Sequence, residues 1–114
     1  MRWGEDELDM PKVQKSSIIS TDHELYRAAH CLKAMSHPIR LKILCRLGKK
    51  ELTVQEIVDR VGTTQSNISQ HLSVLRAQGI LGCRKESNRV YYRIDDCRTI
   101  KLIRMIRDVY CTVD

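Results

Sequence analysis

A mainly α-helical chain carrying one small β-hairpin is predicted from three observations. Apolar residues recur at helical spacing in five separate segments. Capping signals and glycine stops bracket several of them: Thr21 and Thr53 open two segments, and Gly48, Gly62 and Gly79 close three. Two short runs near the C-terminal side, residues 80–85 and 89–94, favour strands, and the second is rich in Val, Tyr and Ile. The expected order is four helices, two strands and a last helix.

Residues 1–20 mix charges with Pro11 and Ser16-Ser17 and keep no period, so they are expected to form a mobile arm. The pair Ile18-Ile19 is the part of it able to pack on the body. Residues 21–114 form the expected domain. Thr21-Asp22-His23-Glu24 has the form of a capping box, and a first helix then runs to about Met35. Ser36-His37-Pro38 breaks it, and Pro38 suits the first position of a second helix. That helix carries Ile39, Ile43, Leu44 and Leu47 at core spacing and stops at Gly48. Thr53-Val54-Gln55-Glu56 is a second capping box. The third helix places Val54, Ile57, Val58 and Val61 on one face and ends at Gly62. Thr63-Thr64 turns the chain, with Thr64 as the cap of the fourth helix. That helix buries Ile68, Leu72 and Leu75 and stops at Gly79.

Glu86-Ser87-Asn88 is the expected turn between the strands, because Asn tolerates positive φ. Asp95 or Asp96 caps a last helix over about 96–112. Its apolar arc is wide, with Ile100, Leu102, Ile103, Met105 and Val109 among its members. A terminal helix of that kind needs a partner. Pairing of the first and last helices across a twofold axis satisfies it, which predicts a homodimer.

The chain has 114 residues, no Phe and a formal charge of +6. The core must therefore be aliphatic. Residues 64–94 hold Arg76, Arg84, Lys85, Arg89 and Arg93 against the single acid Glu86. About two thirds of the net charge lies there, which points to a polyanionic partner. Apolar runs are too short for a membrane helix, and the opening MRWGEDELDM is acidic without an apolar signal region. A cytoplasmic protein with no membrane partner is expected. Neither a Gly-rich phosphate loop nor a nucleophile elbow is present, so an enzyme is not expected.

Residues 53–94 thus read as helix, tight turn, helix and basic hairpin, the parts of a winged helix-turn-helix that holds DNA. With Ile68, Leu72 and Leu75 inward, Ser66, Ser69, Gln70 and Ser73 face out, and Gln65 lies at the tip. Thr64, Gln65, Ser66, Asn67, Ser69 and Gln70 are the expected DNA-binding residues, able to meet base edges and phosphates. Arg84, Lys85 and Arg89 on the hairpin are expected on the phosphate backbone or minor groove. His71 lies nearer the core face, where a packing role and a DNA contact both remain open.

The segments AMSHPIRLKIL, ELTVQEIVDRVGTTQSNISQHLSVLRAQGIL and RKESNRVYYRI together resemble the ArsR/SmtB family of bacterial repressors. The resemblance covers about residues 22–112. It implies a homodimer built on the first and last helices that binds double-stranded operator DNA carrying an imperfect inverted repeat. Members release DNA when an inducer binds or oxidises them. Metal-sensing members place a Cys-x-Cys pair at the start of the third helix, where this chain has Thr53 and Gln55. Others place Asp, His and Glu ligands on the last helix, which has no His here. His37 stands where the family has an acid. No metal and no cofactor are therefore expected.

Five cysteines remain: Cys31, Cys45, Cys83, Cys97 and Cys111. An odd count in a reducing compartment argues against a static disulfide framework. Cys45 in LKILC and Cys111 in DVYC are similar to the pair of the thiol-switch branch of that family. The resemblance implies a redox-sensing pair that forms a disulfide or sulfur-bridged link and so relieves repression. Each also has a plainer reading: Cys45 follows Ile43-Leu44 and can be a core filler, and Cys111 a terminal one. Cys31 is a third thiol near the same helices, while Cys83 and Cys97 read as fillers. A metal- or arsenical-responsive repressor and a regulator that senses nothing stay open as alternatives.

Overall fold

The computed structural model describes residues 21–111, in which five helices and a three-stranded antiparallel sheet are formed. The expected arm over 1–20, with Ile18 and Ile19, lies outside the described residues, as does the end of the chain beyond Cys111. The chain divides between His30 and Cys31 into two compact units. In the first, the Thr21 hydroxyl accepts from the Glu24 amide at 3.1 Å, and the Glu24 carboxylate accepts from the Thr21 amide at 3.3 Å. This is the reciprocal cap expected from the sequence, and it opens helix α1, Asp22–Met35.

In the second unit, His37 is held extended ahead of Pro38, as the pyrrolidine ring requires. Its Nδ1 accepts from the Ile39 amide at 3.1 Å and so caps α2, Pro38–Leu47. Gly48, at φ 53°, ends α2. A two-residue strand β1, Leu52–Thr53, follows and was not expected: two residues carry no period, and Thr53 already served as a helix cap. Both roles hold, because Thr53 caps α3, Val54–Val61, in the reciprocal box with Glu56 while its backbone pairs with the hairpin. Gly62 closes α3 at φ 88°, left-handed as expected.

Thr64 caps α4, Gln65–Ala77, by accepting from the Asn67 amide. The end of α4 is a double stop. Ile80 donates to the Leu75 carbonyl, Gly79 donates to the Arg76 carbonyl, and Gly79 sits at φ 75°. This pattern of a six-to-one and a five-to-two bond is the Schellman motif. Strand β2, Leu81–Glu86, and strand β3, Arg89–Ile94, form the hairpin, and the sheet order is β1-β3-β2. The turn differs from expectation. Glu86 pairs with Arg89 inside the ladder, so the turn is only Ser87-Asn88, and Ser87 rather than Asn88 takes the positive φ of 58°. A two-residue loop demands that conformation at its first position in this geometry, whatever residue stands there. Asp96, not Asp95, caps α5, Cys97–Tyr110. Arg98 grips the Asp96 carboxylate with its backbone and guanidinium, which pulls that acid down to about 2.

The core is aliphatic, as the absence of Phe dictates. Ile43, Leu44, Leu47, Ile57, Ile68, Leu72 and Leu75 are fully buried. Helix α2 supplies three of these and packs against α3, α4 and α5. Helix α5 buries Ile103 alone, and leaves Met105 61% and Tyr110 80% exposed. In α1, Leu25 and Tyr26 of the first unit and Leu32 of the second are exposed too. No helix among the described residues is long and apolar enough to cross a membrane.

His71 takes the packing role. It is half-buried, its ring lies 4.4 Å from that of His37, and Arg40 donates to its Nδ1 at 3.3 Å. Arg40 also donates to the Ala34 carbonyl. Helix α4 is thereby tied to the cap of α2. Burial first, then the His37 ring and the Arg40 cation, hold His71 below its ordinary value of 6.5.

Two consequences are measurable. Leu72→Ala should cost ~2–5 kcal/mol in urea denaturation of the reduced protein, since a fully buried side chain leaves a cavity. A neutral His71 also makes stability depend on pH in a defined direction. Below about 6.5 the unfolded chain takes up a proton that the folded chain refuses, so stability falls until the depressed native value is passed. Glu56 and Asp96 lie below 4.5 and 3.8, so their own contributions are lost only at lower pH. Denaturation midpoints between pH 7 and 5 should fall more steeply for the wild type than for His71→Gln.

Candidate nucleic-acid interface and thiol cleft

Helices α3 and α4, joined through Gly62-Thr63-Thr64, form the helix-turn-helix. The buried row Ile68, Leu72 and Leu75 sets the rotation of α4 and leaves Gln65, Ser66, Ser69, Gln70 and Ser73 exposed on its outer side. The first turn of α4 holds no acid, so its leading amides and the positive end of the helix remain open to a phosphate. Thr64 and Asn67 are engaged differently. The Thr64 hydroxyl caps the helix, and the half-buried Asn67 amide donates to Thr63 at 3.1 Å. Both groups hold the turn in shape, while the free polar tips belong to Gln65, Ser66, Ser69 and Gln70.

The wing separates its cations in the same way. Arg84 lies over the Tyr91 ring at 4.6 Å and is gripped by Glu51 at 3.0 Å and Glu86 at 2.6 Å. Arg93 reaches Glu51 at 3.9 Å and Asp95 at 3.3 Å. Glu51, just ahead of β1, is thus the acid that fastens the wing to the body, a role its sequence position did not disclose. Lys85 and Arg89 are exposed, and neither forms an ion pair among the described residues. They are the wing cations that no described carboxylate holds in an ion pair.

The second site is a cleft of about 220 Å³ between α2 and α5. Its walls include Leu44, Ile94 and Ile103, with Cys45 on one side and Arg104 and Arg107 on the other. Cys45 is exposed and unbridged, so it is not a core filler. Cys111, also exposed and unbridged, lies one helical turn past Arg107, with its amide donating to the Arg107 carbonyl at 2.8 Å. Cys31 is half-buried, with its sulfur 3.8 Å from the Gln78 carbonyl. Cys83 is half-buried, but Cys97 is exposed at the start of α5 and fills no core. No group of three or more His, Cys, Asp or Glu side chains suited to a metal ion occurs among the described residues. Arg104 was not singled out from the sequence, although its spacing of three from Arg107 marks one helix face.

The arrangement can be set beside known proteins. Residues 37–81 match the profile described as bacterial regulatory protein, arsR family. The transcriptional activator HlyU of Vibrio cholerae is 39% identical over 85 residues, which span 75% of this chain and 79% of that protein. The biofilm growth-associated repressor of Xylella fastidiosa is 34% identical over 84 residues, 74% of each chain. Among solved structures, HlyU from Vibrio cholerae superposes with a TM-score of 0.74 at 36% identity, covering 81% of this chain and all of that one. The repressor BigR from Xylella fastidiosa does so at 0.73 and 30%, covering 81% of this chain and 94% of that one. This winged helix-turn-helix chain therefore belongs to the arsR family of bacterial transcriptional regulators.

Proposed function

We propose that the chain is a homodimeric repressor that holds an inverted repeat in double-stranded operator DNA and lets go when Cys45 and Cys111 are oxidised to a covalent link. The observation that carries this reading is the exposure of Cys45 in a cleft whose opposite wall, α5, ends at Cys111. Two copies pair through α1 and α5, and the exposed Leu25, Tyr26, Leu102, Met105, Val109 and Tyr110 are the side chains that gain from it. Each α4 enters a major groove, with Gln65, Ser66, Ser69 and Gln70 on base edges and phosphates. Lys85 and Arg89 meet the backbone beside it.

Oxidation by an organic persulfide, R–S–SH, proceeds in two displacements. The Cys45 thiolate attacks the outer sulfur, a Cys45–sulfur bond forms, and the thiolate R–S⁻ leaves. The Cys111 thiolate then attacks the Cys45 sulfur and expels hydrosulfide, leaving a Cys45–Cys111 disulfide. Both thiols are oxidised, and the outer sulfur is reduced. Direct closure brings the two Cα atoms to roughly 4.4–6.8 Å. Because α2 packs on both α4 and α5, the closure moves the reading helix. Two such helices must sit about 34–36 Å apart on DNA, so a modest rotation is enough to disfavour binding. A coupling of ~3 kcal/mol weakens binding by roughly 150-fold.

Anisotropy titration of an operator fragment should show tight binding by reduced protein and loss of about two orders of magnitude after persulfide treatment. Peptide mapping of the same sample should find Cys45 joined to Cys111. Cys45→Ser should bind DNA like reduced wild type and ignore persulfide; a variant that still responds like wild type contradicts the switch. The wing makes a separate statement about salt. Lys85→Ala with Arg89→Ala removes up to four phosphate contacts per dimer and should flatten the slope of log K against log salt by up to ~3.6. Arg84→Ala, whose charge is held by Glu51 and Glu86, should change that slope less and lower the stability of the hairpin instead.

A further inference from the structure

The cleft between α2 and α5 has a composition that a bare disulfide switch does not need. Its floor is apolar, with Leu44, Ile94 and Ile103 among its residues. The α2 side carries Cys45, and the α5 side carries Arg104 and Arg107. No acid lines it. Arg104 makes no ion pair among the described residues, and Arg107 touches only its neighbour Asp108, at 3.5 Å. The two cations are three residues apart, one above the other on α5. An unpaired Arg104, a second cation held only by its exposed neighbour Asp108, an apolar lining and a nucleophile in one small concavity describe a receptor for a short molecule with an anionic end and a reactive end.

We infer that this cleft binds carboxylate-bearing organic persulfides, with the carboxylate on Arg104 and Arg107, the carbon skeleton on the apolar floor and the outer sulfur at Cys45. The inference rests on the persulfide switch proposed above and names the oxidant that the switch prefers. The step it favours is the first displacement: the bond from Cys45 to the outer sulfur forms, the sulfur–sulfur bond of the persulfide breaks, and the carboxylate-bearing thiolate leaves. The cations raise the local concentration of the anion and hold it end-on, so selection among oxidants occurs before any cross-link exists.

The test uses the reduced full-length protein and a matched pair of alkylating probes. Iodoacetate is an anion with a carboxylate, and iodoacetamide is its neutral amide. Rates are read at each cysteine by quantitative peptide mapping. Any change in the thiolate fraction of Cys45 moves both rates together and cancels in their ratio. Arg104→Gln combined with Arg107→Gln should lower the iodoacetate-to-iodoacetamide ratio at Cys45 about fivefold at low ionic strength. The ratio at the exposed Cys97 should stay where it was and serves as the internal control. In a second arm, the persulfide of 3-mercaptopropionate should modify Cys45 faster than the persulfide of cysteamine, and the double variant should erase the difference. An unchanged ratio at Cys45, or an equal fall at Cys97, overturns the receptor. Because alkylation needs no cross-link, the expected fall in the Cys45 ratio together with no effect of oxidation on DNA binding would contradict the switch while supporting the receptor.

Discussion

Three side chains of one ten-residue helix hold the regulator together: Ile43, Leu44 and Leu47 of α2, all fully buried. The contacts of α2 reach α3, α4 and α5. Removing three such side chains from water contributes several kcal/mol, a large share of the stability of a small domain. The consequence is mechanical. Helix α4 and helix α5, which ends at Cys111, are packed on the same short rod, so a displacement at one is felt at the other. Interiors packed at crystal density transmit strain rather than absorb it. The His37–Arg40–His71 cluster adds a polar tie to the same junction, from the cap of α2 to the middle of α4.

Around that junction the polar groups divide into those that build the fold and those left for ligands. Thr53, Thr64 and Asp96 satisfy helix ends, Asn67 fixes the turn, and Glu51 gathers Arg84 and Arg93 onto the wing. Among the described residues, two groups of side chains stand out as available to ligands. One is the outer face of α4 with Lys85 and Arg89. The other is the cleft with Cys45 and Arg104, beside Arg107 on its Asp108 neighbour. A surface cation already held by a carboxylate has little to offer a phosphate, because displacing the carboxylate costs what the phosphate returns. Counting basic residues therefore overstates the charge available to DNA, and the ion pairs decide which ones count.

Much of this was legible from the sequence because it is locally encoded. The boxes Thr21–Glu24 and Thr53–Glu56, the stops at Gly48 and Gly62 and the buried row of α4 depend on neighbours within one or two turns. The features that escaped depend on partners far along the chain. Strand β1 exists because Leu52 and Thr53 meet Tyr92 and Tyr91. Glu51 matters because Arg84, 33 positions on, folds back to it. His71 packs because Arg40 and His37 wait on another helix. Cys45, read as one of the switch thiols, kept a plainer filler reading beside Ile43-Leu44 because the sequence does not show how far the cleft opens at that edge of α2. Ser87 took the turn position expected of Asn88 because ladder register, not intrinsic preference, set the loop length.

In the proposed switch, a bond between α2 and α5 relocates α4. Pulsed electron–electron spin resonance between spin-labelled unnatural side chains at position 65 of the two subunits measures this without touching any cysteine. In the reduced dimer the separation should suit successive major grooves, roughly 34–36 Å between the two α4 helices. After persulfide treatment the distribution should be displaced by several ångströms. Superimposable distributions from the reduced and the fully cross-linked protein would contradict the switch.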